Sequence, residues 1–97
     1  MADFIYLIHP LREGFFQEPT DEENKYVDAH YQYLKSGVEN GQVLLAGPCL
    51  DETFGLVVFQ ASDETTANDF MMNDPSIKNN VMMAELHPFN ISLLGKR

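Results

Sequence analysis

The chain has one cysteine, Cys49, among its 97 residues. No internal disulfide framework can form, and a reducing compartment is favoured. Basic residues are scarce as well. Six Lys and Arg stand against 15 Asp and Glu, giving a net charge of −9. Such a surface repels phosphate backbones and anionic lipid, so neither nucleic acid nor a membrane is an expected partner. No apolar run approaches the roughly 20 residues that cross a bilayer. Met1-Ala2-Asp3 carries no basic n-region, and the run Phe4 to Ile8 is too short for a signal-peptide core. A cytoplasmic protein in solution is expected. The common chemical motifs are also missing: no P-loop, GxGxxG, CxxC or HExxH, and no GxSxG elbow. A nucleotide-dependent enzyme and a structural zinc site are therefore not expected.

What is present suits one small domain spanning residues 1–97. Hydrophobic residues make up 44%, an ordinary globular share that argues against disorder. Asp3 to His9 (DFIYLIH) is aromatic and β-branched and is closed by Pro10, which predicts a strand. Leu11 to Pro19 has no clean period and predicts a loop. Its adjacent Phe15 and Phe16 are more often a satellite core cluster than a binding feature. Thr20 to Asn40 predicts the longest helix. Thr20 and Glu23 make a capping box, and Asp21 and Glu22 suit the positive end of the helix dipole. Tyr26, Val27, His30, Tyr31, Leu34 and Val38 recur at three- and four-residue spacing. Asn40-Gly41, both tolerant of left-handed dihedrals, stops the helix.

Gln42 to Ala46 predicts a second strand ended by Gly47-Pro48, and Phe54 to Ala61 a third. The run Leu56 to Phe59 points to burial on both faces. Ser62 to Asn73 predicts a second helix, capped by Ser62 and broken at Asp74-Pro75. Ser76 to Asn80 adds a short helical turn. Val81 to Leu94 predicts the last strand, with Pro88 confined to an edge or a bulge. The order βαββαβ is the ferredoxin-like α+β sandwich: a four-stranded antiparallel sheet with two helices on one face. The other face is apolar on both alternations, a liability on a monomer. A symmetric homodimer, sheet against sheet, would cover it.

Three histidines are candidates for chemistry. His30 lies mid-helix on the face of Tyr26, Tyr33 and Leu34. A histidine so placed is more often a packed core residue than a catalyst, although imidazole titrates near neutrality and can move a proton. His9 and His87 each precede a proline and read as structural or rim residues. Asp74 by itself reads as a turn-former before Pro75. Cys49 has no motif around it that would activate a thiol. The pairs Met71-Met72 and Met82-Met83 read as adaptable core or dimer filling.

The ordered set of segments resembles the YciI-like (YCII-related domain) family. Strand 1 carries FIYLIH, and helix 1 carries His30-Tyr31-Gln32-Tyr33-Leu34. Glu39 to Pro48 (ENGQVLLAGP) is similar to the family's EGRLLTAGP stretch. Asn73-Asp74-Pro75 is similar to its ADPY segment, and His87-Pro88-Phe89 to its xPF. The resemblance implies a ferredoxin-like dimer of the dimeric α+β barrel type, with a pocket in each subunit near the dimer interface. It implies a catalytic acid/base pair in that pocket, carried onto His30 and Asp74. Tyr33, Gly47 and Pro48 would contribute to substrate binding. The implied activity is a cofactor-free elimination or isomerisation of a small cyclic or enolisable molecule, like that of a dehydrochlorinase or a muconolactone isomerase. The alternative is a non-catalytic module that binds a small molecule or a protein in the same pocket. A metal at His30 and Asp74 would have two ligands, too few for a tight site, so no metal is expected. The chain departs from the family in its long Leu11–Thr20 loop and in Ser76, where an aromatic is common.

Overall fold

Side-chain alternation along the first strand sets which face of the sheet is buried. In a computed structural model that describes residues 1–95, β1 (Ala2–Pro10) buries Phe4, Tyr6 and Ile8 and leaves Ile5 and Leu7 half-covered. The remaining elements follow in the order α1 (Asp21–Glu39), β2 (Val43–Pro48), β3 (Gly55–Ala61), α2 (Glu64–Met72), α3 (Pro75–Lys78) and β4 (Met82–Phe89). The strands pair antiparallel in the order β2-β3-β1-β4. The helices cover the face that carries Tyr6. The core there joins Phe4, Tyr6, Val57 and Phe59 of the sheet to Leu34, Ala67, Met71 and Ile77 of the helices. This is the ferredoxin-like α+β arrangement. As expected, β3 is buried on both sides, with Val57, Val58 and Phe59 all covered. No helix among the described residues is long and apolar enough to cross a membrane.

The start of α1 is fixed by reciprocal hydrogen bonds. The Glu23 amide donates to Thr20 Oγ1 at 3.0 Å, and the Thr20 amide donates to Glu23 Oε1 at 2.8 Å. At the other end Gly41 alone takes a left-handed backbone, φ +86°. Asn40 remains right-handed at φ −88°, so the stop needs one such residue rather than two.

Three boundaries differ from expectation, each for a local reason. Asp63, not Ser62, caps α2: its carboxylate accepts from the Thr66 amide at 2.8 Å, and a negative charge is favoured at a helix start. β2 runs on through Gly47 and Pro48, which pair with Leu56 and Gly55. Pro48 is tolerated because β2 is an edge strand and needs no outward donor. A register shift between Val43 and Leu45 leaves Leu44 as the extra residue of a bulge. β4 stops at Phe89, which pairs with Asp3. Beyond that point β1 has almost no backbone left to pair. Ile91, Leu93 and Leu94 therefore lie outside the sheet, and the Ile91 amide is tied to Asp3 Oδ2 at 3.0 Å.

Gly37 lets α1 approach β2. A Cβ built on it would sit 2.5 Å from Cγ2 of the buried, stiff Val43. Gly37→Ala should therefore destabilise by about 1–3 kcal/mol through overpacking, against a helix-propensity gain of up to about 1 kcal/mol. Urea unfolding measures the sum. A variant more stable than wild type would show that the contact gives way.

Candidate functional site

The break between α2 and α3 turns a carboxylate inward. Asp74 precedes Pro75 and is held extended (φ −60°, ψ 123°) as the N-cap of α3, so its side chain is clamped by the turn itself. Its side chain is fully buried. A buried charge is tolerable only when paired and hydrogen-bonded, and four donors converge on this one. Tyr6 Oη donates to Oδ2 at 2.8 Å, while the Ser76 amide and hydroxyl donate to Oδ1 at 3.0 and 2.9 Å. His30 Nδ1 lies 2.8 Å from Oδ1 and 2.7 Å from Oδ2.

Burial pushes the Asp74 carboxyl up, but the hydrogen bond and charge of His30, with the bonds from Tyr6 and Ser76, outweigh it and leave it below its ordinary value. Burial and the adjacent carboxylate push the Tyr6 phenol far up, so Tyr6 stays protonated and remains a donor. An ionised carboxylate only accepts, so Nδ1 of His30 must carry the hydrogen. Nε2 of the neutral ring is then an unprotonated base. It has no hydrogen-bond partner among the described residues, and it is not one of their sealed polar atoms.

His30 is 16% exposed and lines a cavity of about 570 Å³ between α1, the 11–19 loop and the β2–β3 hairpin. The lining is largely apolar, with Val27, Leu34 and Val38 of α1 facing Phe15, Phe16 and Phe54. This explains why the apolar stripe of α1 is only partly covered, with Val38 52% and Tyr31 63% exposed: much of it borders the cavity. Arg12 fastens the loop. Its guanidinium reaches both oxygens of Glu23 at 2.9 and 2.7 Å and the Glu18 carbonyl at 2.8 Å. Arg12 and the Thr20 amide hold the Glu23 carboxyl down to about 2.

His30 and Asp74 thus come together, with Asp74 behind the ring and away from the cavity. Gly47 and Pro48 line the cavity. Tyr33 does not. It stacks on Phe70 at 5.0 Å and donates to the Phe70 carbonyl at 2.7 Å, because its position on α1 faces α2. Burial and Asp74 push the Tyr33 phenol up to about 12. Phe15 and Phe16 pack edge-to-face at 5.2 Å, and both line the cavity. Cys49 lines it too. His9 and His87 lie on the other sheet face beside Glu85, at 3.9 and 3.5 Å. Met71 is core, whereas Met72 and Met83 are about half exposed. Among the described residues no three His, Cys, Asp or Glu side chains converge as metal ligands.

Sequence reasoning passed over Tyr6 as part of the site and noted Ser76 only as a departure. A tyrosine at a buried strand position needs a partner for its hydroxyl, and that was the available signal for Tyr6.

A family model, the YCII-related domain, matches residues 4–90. The chain belongs to the YCII-related domain family. Among solved structures, a 5-chloro-2-hydroxyhydroquinone dehydrochlorinase from Burkholderia phenoliruptrix AC1100, in complex with 2,5-dihydroxybenzoquinone, is similar with a TM-score of 0.66 at 18% identity. The likeness covers 90% of this chain and 93% of that one, and at that identity it is one of fold. An uncharacterized protein from Thermotoga maritima has a TM-score of 0.48 at 14% identity, over 91% and 95% of the two chains. No curated protein sequence matches.

Two substitutions probe how this YCII-related domain keeps its buried charge. Tyr6→Phe removes one donor and should cost about 1–3 kcal/mol in chemical unfolding. Asp74→Asn should cost more, about 3–5 kcal/mol, because it breaks the pair with His30. A carboxyl with a depressed folded value contributes stability that is complete above its ordinary value and lost as the pH falls through the folded one. The gap between wild type and Asp74→Asn should therefore narrow below about pH 4. A constant gap through that range would contradict an ionised Asp74.

Proposed function

We propose that this YCII-related domain is an enzyme that moves a proton on a small cyclic or enolisable molecule, giving elimination or isomerisation without a cofactor. The supporting observation is the orientation of His30: Nδ1 is held by a buried carboxylate and the ring lines a largely apolar cavity. In that geometry Nε2 takes a proton from a hydroxyl or from a carbon beside a carbonyl. The electron pair left behind moves through the conjugated system. In elimination a leaving group such as chloride departs with its bonding pair, so the net loss is HCl. In isomerisation the imidazolium returns the proton to a different carbon. Asp74 never meets the substrate. It sets the tautomer and stabilises the imidazolium while it exists. The fold-level likeness to the hydroxyhydroquinone dehydrochlorinase supports the elimination form and a ring-shaped substrate.

A homodimer is proposed with the enzyme. The sheet face away from the helices presents Ile5, Leu7, Leu45, Met83 and Phe89, none of them buried. A second copy related by a two-fold axis covers that face with the same face of its own sheet.

The reaction is tested with 5-chloro-2-hydroxyhydroquinone, following chloride release. His30→Gln should lower the rate by about 10²–10⁴-fold, the usual weight of general acid–base catalysis, with the fold retained by circular dichroism. Turnover that survives this change would refute the mechanism, and saturable binding with no turnover in wild type would favour a binding module. The dimer is tested separately by sedimentation. Leu7→Glu should give a monomer, and a wild-type monomer would refute the dimer.

A further inference from the structure

The cavity holds one strong cation, Lys35, which is its sole Lys or Arg side chain among the described residues. It follows Tyr31 by four residues on α1, so the two lie one turn apart on the same face. It stands five residues from His30, about 7.5 Å along the axis at 1.5 Å per residue. Both side chains line the same cavity. Lys35 is exposed and makes no ion pair among the described residues. Arg12, by contrast, is committed to Glu23, and Lys25 lies over the Tyr26 ring at 5.4 Å. In a chain of net charge −9, the general field opposes the approach of an anion. An unneutralised cation at the cavity is the local exception. Across the cavity, Phe16 is 46% exposed and stands edge-to-face with the buried Phe15, leaving part of an aromatic surface for a ligand ring. Glu52, on the β2–β3 hairpin, also lines the cavity and sets a like charge against a second anionic group.

Resting on the reading above that His30 faces a substrate cavity, we propose that the cavity selects an aromatic or quinonoid monoanion, with its ring against Phe16 and its charged substituent at Lys35. Lys35 is then a specificity residue rather than part of the proton transfer. His30 meets the other end of the ring. One positive side chain opposite one negative one admits a single negative charge and disfavours two.

The test is calorimetric binding of three simple probes to the full chain. These are 4-hydroxybenzoate (a monoanion), 4-hydroxybenzyl alcohol (its uncharged counterpart) and terephthalate (a dianion). Wild type should bind 4-hydroxybenzoate at least about tenfold more tightly than either of the others, a 1.4 kcal/mol preference. Lys35→Met should remove the preference over the alcohol, Lys35→Arg should keep it, and added salt should weaken 4-hydroxybenzoate binding only where the cation is present. Phe16→Ala should weaken both the benzoate and the alcohol. Equal affinity for the charged and uncharged probes, an unchanged preference in Lys35→Met, or no saturable binding of any probe would each overturn the proposal. His30→Gln separates the two claims. If it abolishes chloride release but leaves the preference for 4-hydroxybenzoate, both stand. If the preference is absent while wild-type turnover depends on His30, only this proposal fails. If the preference persists while turnover survives in His30→Gln, only the mechanism fails.

Discussion

The structure depends on keeping one carboxylate charged where there is no water. Asp74 is sealed beneath α1, and an isolated carboxylate there would protonate or unfold the region. It is held instead by donors from three separate parts of the chain: Tyr6 from the middle of β1, His30 from the middle of α1, and Ser76 from the first turn of α3. Each donor restricts something larger than itself. Tyr6 locks its strand position against the helix layer, His30 fixes the rotation of α1, and Ser76 is in reach only because Asp74 caps α3. A buried pair of this kind is weak evidence for stability, since an apolar substitute of the same shape is often as stable. Its geometry dictates which ring nitrogen of His30 carries a proton.

The cavity follows from the same constraint. α1 is pulled toward the α2–α3 corner by the His30–Asp74 contact and toward β2 by the absence of a side chain at Gly37. At the opposite corner it stands off the sheet, and the space beneath is walled by the 11–19 loop. That loop has no regular structure to hold it. The Arg12–Glu23 pair ties it to the first turn of α1, using the carboxylate that also completes the capping box. Surface ion pairs contribute little as a rule. Here the pair is bidentate and positions Phe15 and Phe16, so its importance lies in the shape of the cavity more than in stability.

Much of this was legible in the sequence. The capping box at Thr20, the helix stop at Gly41 and the breaker Asp74-Pro75 are local signals, and local signals are read from local chemistry. The alternation in β1 and the apolar run in β3 reported burial, which is why the sheet and its two-sided third strand were recoverable. The misplaced boundaries needed information that a single segment does not contain. β4 ends where β1 begins, β2 continues through Gly47 to Pro48 because nothing pairs on its outer side, and the bulge at Leu44 depends on the register with β3. The site was legible only in part. His30 and Asp74 are 44 residues apart, and neither has a local feature that names the other. Family resemblance, rather than spacing, joined them. Tyr33 was expected in the pocket, but a residue three positions from His30 turns far enough to face Phe70.

Asp74 holds His30 as the Nδ1–H tautomer, with Nε2 free at the cavity. This assignment is tested most directly by long-range nitrogen–proton correlation spectroscopy of the histidine rings at a pH where His30 is neutral. The expected result is a protonated Nδ1 and an unprotonated Nε2 for His30, with this preference lost in Asp74→Asn. A His30 ring protonated at Nε2 in the wild-type protein would contradict it, because that nitrogen could not then accept a proton from a substrate.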